Sequence, residues 1–88
     1  MKIKEEFQYF EVNGDSILVP VGTEMERFKH VVVLTKAAGY LVQKMTKEDL
    51  CPEELVGYLM EKYHIDATKA RKDLQSFLDR LTELKIIA

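Results

Sequence analysis

The alternation of hydrophobic and polar positions divides the chain into an extended first third and a helical remainder. Phe7 to Val12 and Ser16 to Val21 favour extended structure, and Asn13-Gly14-Asp15 between them tolerates the positive φ of a tight hairpin turn. After a break at Gly22, the valine-rich stretch from Arg27 to Leu34 predicts a third strand. The first third is therefore a predicted β-meander.

Beyond this meander the hydrophobic period changes to that of an amphipathic helix. The pattern predicts a first helix over 36–45 capped by Thr35, a second over 52–63 that starts at Pro52, and a third that Asp66 caps and that continues to Leu84. The predicted fold class is α+β, a three-stranded antiparallel β-meander followed by three helices. No repeat or Pro/Gly-rich linker interrupts the pattern, so we expect a single domain over 1–88.

Composition and charge exclude several classes of function. The 88 residues are 47% hydrophobic, which is enough for a core without metal or disulfide, and Cys51 is the one cysteine. The longest apolar stretch, Val31 to Leu34, is far shorter than the roughly 20 residues of a membrane-spanning helix. The formal net charge of −2 gives no long-range attraction to phosphate. No secretion signal is recognisable, and we expect a cytoplasmic protein.

Side chains suited to chemistry are few. His30, His64 and Cys51 do not form a catalytic spacing or a zinc-ligand pair, and Cys51 before Pro52 suits a helix cap. The four glycines are isolated and form no phosphate-binding loop. We therefore expect no catalytic activity, no metal and no cofactor.

The third predicted helix is rich in basic residues, which would suit a DNA-contacting stripe. Acidic residues interleave with them, and Lys69 can pair with Asp73 one turn on, as on an ordinary solvated helix face. A winged helix DNA-binding protein is therefore the weaker alternative.

The third predicted strand has β-branched residues on both faces. If Val32 and Leu34 face the helices, Val31 and Val33 face the other side, where they pack locally, form a homodimer contact or flank an incoming peptide strand. All three readings stay open, and a free edge here is suited to the addition of a peptide strand.

Several phrases of the sequence are similar to the PqqD family. They are Val32 to Leu41 (VVLTKAAGYL), Pro52-Glu53-Glu54-Leu55, Tyr63, Asp73-Leu74, Phe77-Leu78, Leu81 and Ile86-Ile87. The sequence departs from the family where Thr35 replaces a common asparagine, Ala37 a common threonine and Val42 a frequent aromatic residue. Thr35 still suits a cap and Val42 still suits a core, so the departures bear on the subfamily rather than the fold.

The resemblance implies a winged helix-turn-helix-like domain that recognises the leader of a ribosomally made precursor peptide. In the family the leader adds as a strand to the third β-strand beside the third helix, and a partner enzyme, often a radical S-adenosylmethionine protein, modifies the peptide. Whether the pathway makes pyrroloquinoline quinone or another product is left open. The peptide-binding residues that the resemblance implies are Phe28, His30, Val31, Val33, Lys69, Ala70, Asp73, Leu74 and Phe77.

Overall fold

The computed structural model describes residues 1–22 and 31–87. Within them, three strands precede three helices: β1 Phe7–Val12, β2 Asp15–Pro20, β3 Val32–Leu34, α1 Lys36–Lys47, α2 Pro52–Tyr63 and α3 Ala67–Glu83. The strands form one sheet in the order β1-β2-β3, and both pairings are antiparallel. The predicted α+β architecture of a β-meander followed by three helices is confirmed.

The β1–β2 hairpin closes through a two-residue turn. Asn13 and Gly14 both have positive φ, 51° and 85°, as a type I′ turn requires. Because the turn is this tight, Asp15 already pairs with Val12, and β2 begins one residue before the predicted Ser16.

The described part of the third strand is Val32–Leu34, and Val31, which the prediction included, lies outside it. In the described residues β3 begins at Val32, after Val31, and it pairs with β2 through Leu18↔Val32 and Ser16↔Leu34. The predicted start at Arg27 lies outside the described residues.

Side-chain caps fix the beginnings of two helices as predicted. Thr35 Oγ1 accepts a hydrogen bond from Ala38 N at 3.1 Å, and Asp66 Oδ1 accepts one from Lys69 N at 2.8 Å. α1 continues two residues beyond the predicted end. Its last turn carries Lys44 and Lys47, whose positive charges interact favourably with the helix dipole.

The inner face of the sheet packs on α1, and all three helices contribute to one hydrophobic cluster. Among the described residues, the buried members are Ile3, Phe7, Leu18, Val32, Leu41, Val42, Met45, Leu50, Leu55, Val56, Leu59, Ala70, Leu74, Leu78, Leu81 and Ile86. Near the two ends of the chain, Ile3 forms an antiparallel bridge with Ile87, and Lys4 N donates to Ile86 O at 2.9 Å. In the described ranges, none of the helices has the length and apolar character needed to cross a membrane.

Candidate functional site

The outer edge of β3 carries backbone groups that the sheet does not use. The hydrogen bond from Val21 N to Glu6 O, 2.7 Å long, fixes the alternation of the antiparallel ladder. By that alternation Val32 and Leu34 direct their N–H and C=O groups toward β2, and Val33 directs its own away from the sheet. In the described part of the chain, no strand pairs with this edge.

The side chains of β3 alternate as the valine pattern predicts. Val32 is 8% exposed and belongs to the core, whereas Val33 is 62% exposed on the opposite face. Val33 thus presents, at one place on the surface, an apolar side chain and a backbone edge that no strand of the described residues occupies.

A cleft separates this edge from α3. Its volume is about 310 Å³. Its lining consists of Val33, Leu34, Thr35, Ala38, Asp73, Ser76, Phe77, Arg80 and Leu81. We call it the β3–α3 cleft. A larger cavity of about 500 Å³, between β1 and the C-terminal part of α1, contains none of the peptide-binding residues implied by the resemblance.

The β3–α3 cleft combines an apolar floor with a charged rim. Phe77 is partly buried against the core and Leu81 is fully buried beneath it. On the rim, Asp73 Oδ2 lies 3.3 Å from Lys69 Nζ, which confirms the predicted pairing and offsets the Asp73 charge. The Arg80 guanidinium has no ion pair with any residue that the structure describes. An acidic group is the natural complement of this rim.

The residues implied by the resemblance occupy four kinds of position: in the lining of the cleft, exposed near it, in the core, and outside the described residues. Val33, Asp73 and Phe77 line the cleft, and Val31 is exposed beside it. Lys69 is exposed one turn before Asp73, while Ala70 and Leu74, 0% and 3% exposed, belong to the core. Phe28 and His30 lie outside the described residues.

The sequence pattern did not indicate that the second half of the α3 face lines the cleft. Ser76 and Arg80 line the cleft together with Phe77, because α3 brings its C-terminal half, rather than its first turn, alongside β3. Helical spacing of three, four and seven residues from Asp73 was the available indication.

Cys51 and His64, the other groups considered for chemistry, lie at the two ends of α2. Cys51 is exposed at the N-cap of α2, and the Glu54 carboxylate accepts a hydrogen bond from Cys51 N at 3.2 Å. Hydrogen bonds from the Cys51 side chain and backbone lower the pKa of Glu54. His64 ends α2 in the left-handed conformation, with φ of 53°. Among the described residues, no group of three His, Cys, Asp or Glu side chains is placed to hold a metal ion.

Comparison with known proteins assigns the chain to a family. The model of the family described as coenzyme PQQ synthesis protein D (PqqD) matches residues 15–87. The chain belongs to the PqqD family. A comparison with curated proteins finds no match.

A similar solved structure is described as TbiB1 in complex with the TbiA(beta) leader peptide. It is 21% identical, with a TM-score of 0.77, and the alignment covers 98% of this chain and 93% of that one. At this identity the likeness shows that the two chains share their fold over nearly their whole length.

Proposed function

We propose that this chain binds the leader of a ribosomally made precursor peptide along β3 and in the β3–α3 cleft, and presents it to a modifying enzyme without itself catalysing a reaction. The observation that carries the proposal is the adjacency of the outward backbone edge at Val33 and the apolar floor at Phe77. Membership of the PqqD family supports it, as does the description of the similar TbiB1 structure as a leader-peptide complex.

The proposed binding mode is the addition of a fourth strand to the sheet. Backbone hydrogen bonds at Val33 supply affinity, and side chains on one face of the peptide strand enter the cleft, where they supply specificity. An apolar side chain of the peptide fits against Phe77 and Leu81, and an acidic one fits Arg80. Val31, Phe28 and His30 complete the strand side of the proposed site, the last two as predictions from the resemblance.

The modifying enzyme is proposed to be of the radical S-adenosylmethionine class that the family implies. A cytoplasmic setting is part of the same proposal and is supported by the exposed, unpaired Cys51, since free exposed thiols suit a reducing compartment. The chain itself is proposed to need no cofactor.

Amide hydrogen exchange measured by NMR tests the binding mode at single-residue resolution. The probe is a synthetic leader of a precursor encoded next to the gene for this chain. Val32 and Val33 form a matched pair, because the Val32 amide faces β2 and the Val33 amide faces the free edge.

We expect exchange at Val33 to slow on addition of the leader, and exchange at Val32 to change little. Binding that leaves the Val33 amide in fast exchange would place the peptide elsewhere. No binding of any leader from that gene neighbourhood would overturn the proposed function itself.

A further inference from the structure

A second surface, formed by α1 and α2, combines aromatic rings with cations. Tyr40 of α1 meets Tyr58 and Tyr63 of α2 edge to face, each pair with ring centroids 6.4 Å apart. Lys44 and Lys62 lie over these rings. We call the set of Tyr40, Lys44, Tyr58, Lys62 and Tyr63 the tyrosine–lysine face.

The two lysines are held over tyrosine rings and not by carboxylates of the described residues. Lys44 Nζ lies 4.8 Å from the Tyr58 ring centroid and 5.4 Å from that of Tyr40, and Lys62 Nζ lies 5.3 Å from that of Tyr40. Such cation–π contacts orient an ammonium group but leave its charge uncompensated. Neither lysine has an ion pair with a carboxylate of the described residues, in contrast to Lys69 on α3.

Cavities open on both sides of Tyr40. One of about 450 Å³ reaches from Tyr63 and Lys62 to Lys36 and the β1–β2 hairpin, and one of about 180 Å³ lies between Lys44 and Tyr58. A ligand that enters them therefore meets both lysines and all three rings.

Hydrogen-bond donors of the tyrosine–lysine face are also available. Tyr9, beside the larger cavity, already has its hydroxyl hydrogen-bonded to Ser16, Glu11 and Gln43. The hydroxyls of Tyr40, Tyr58 and Tyr63 make no hydrogen bond to other described residues. Phenol hydroxyls and ammonium groups converging on one surface are complementary to carboxylates.

The tyrosine–lysine face is separate from the proposed leader site. Its two cavities share no lining residue with the β3–α3 cleft, because α1 lies between them. Ala38 of α1 faces the cleft, and Tyr40 faces the other side. Both surfaces can be occupied at the same time.

We propose that the tyrosine–lysine face binds an acidic segment of a protein partner other than the leader peptide, and does so while the β3–α3 cleft is filled. Charge complementarity favours this occupant, because the lysines form a local positive patch on a chain whose formal net charge is −2. Glu11 and Glu48 at the margins interrupt the continuous basic surface that a phosphate backbone needs, whereas a short acidic segment can contact the lysines alone. The proposal does not depend on leader binding.

Titration of the full ¹⁵N-labelled chain tests the proposal. The probe is the capped peptide Glu-Glu-Phe-Glu-Glu, and its matched control is Gln-Gln-Phe-Gln-Gln. We expect saturable shifts of the Tyr40, Lys44 and Lys62 signals with the acidic peptide and not with the glutamine peptide. Prior saturation of the cleft with leader should leave these shifts unchanged.

Two variants that each remove two positive charges distinguish binding at this face from a general attraction of anions to the protein. In K44Q/K62Q the acidic peptide should bind roughly three- to tenfold more weakly, the loss expected for two exposed charge contacts. In K2Q/K72Q, which changes exposed lysines outside the two cavities, binding should be unchanged.

Five results would overturn the proposal: absence of acidic-peptide binding at this face, equal binding of the two peptides, equal weakening by both variants, loss of the shifts when the cleft is first saturated with leader, or tighter binding of a short DNA duplex to the same face. A chain that binds leader but not the acidic peptide would keep its proposed function and lose this inference. A chain that binds the acidic peptide at this face but binds no leader would keep this inference and lose its proposed function.

Discussion

Gly39 of α1 lies directly against Ser16 of β2, so that a Cβ atom on Gly39 would fall 2.6 Å from the Ser16 Cβ. Real Cβ atoms do not approach this closely, and the Ser16 Cβ is attached to the sheet backbone, so it cannot move aside like the end of a long side chain. The contact sets the distance between α1 and the sheet. Since α1 lies between the β3–α3 cleft and the tyrosine–lysine face, Gly39 supports both surfaces.

Replacement of this glycine by alanine should destabilise the protein. In Gly39→Ala the overpacking against Ser16 is expected to cost about 1–3 kcal/mol, which exceeds the roughly 1 kcal/mol that alanine gains over glycine in a helix. Urea unfolding gives the free energy of unfolding directly.

Gly57 supplies the matched control, because it is helical and exposed and a Cβ there would meet no atom within 4 Å. Gly57→Ala should therefore stabilise the protein by up to about 1 kcal/mol. In the S16G background, which also lacks the Tyr9–Ser16 hydrogen bond, the same glycine-to-alanine change should cost little. If Gly39→Ala costs as much there as in the wild type, the contact with Ser16 is not the cause.

The cap of α3 should make a separable contribution to stability. Asp66→Ala removes the acceptor of the 2.8 Å hydrogen bond from Lys69 N and is expected to lower the free energy of unfolding by about 1 kcal/mol. Asp66→Asn keeps an acceptor at the same position and should change it little. Equal losses in the two variants would point to the charge of Asp66 rather than its hydrogen bond.

The Glu54 carboxylate should make stability depend on acid pH. Hydrogen bonds from Cys51 lower its pKa in the folded state from the ordinary value of 4.5. A lowered folded pKa means that the stabilisation is complete above pH 4.5 and is lost as the pH falls through the folded pKa.

A variant can isolate this contribution. Glu54→Gln keeps a hydrogen-bond acceptor but cannot titrate, so its melting temperature should fall less steeply than that of the wild type below pH 4.5. Glu61→Gln is the control, since the exposed Glu61 side chain makes no ion pair or side-chain hydrogen bond with the described residues. Parallel acid profiles for all three proteins would contradict the assignment.

The features that the sequence predicted well are local. The turn at Asn13-Gly14 and the caps at Thr35 and Asp66 depend on residues within four positions of one another, and each appears where the sequence placed it. Local chemistry therefore accounts for the order of the elements and most of their bounds.

The sequence did not predict the features that depend on packing between distant segments. No pattern indicated that Ile3 would pair with Ile87, because that bridge joins segments whose approach the helices determine. The same reason explains the cleft: periodicity placed Ala70, Leu74 and Phe77 on one broad face of α3, but the packing of α3, chiefly against α2, leaves Phe77 in the lining and the other two in the core. The tyrosine–lysine face was likewise not predicted, because it forms only when α1 packs on α2.

The cleft makes a last prediction about affinity. Phe77→Ala removes the aromatic side chain from the floor of the β3–α3 cleft, and under the proposed function it should weaken leader binding by at least about tenfold, as expected for an aromatic residue at the centre of an interface. Gln75→Ala changes a neighbouring exposed residue of α3 that does not line the cleft, and it should leave the affinity unchanged. Isothermal titration calorimetry at a temperature well below both unfolding transitions separates lost binding from lost folding, because Phe77 also packs against the core. A folded Phe77→Ala protein that binds the leader as tightly as the wild type would move the binding site away from this cleft.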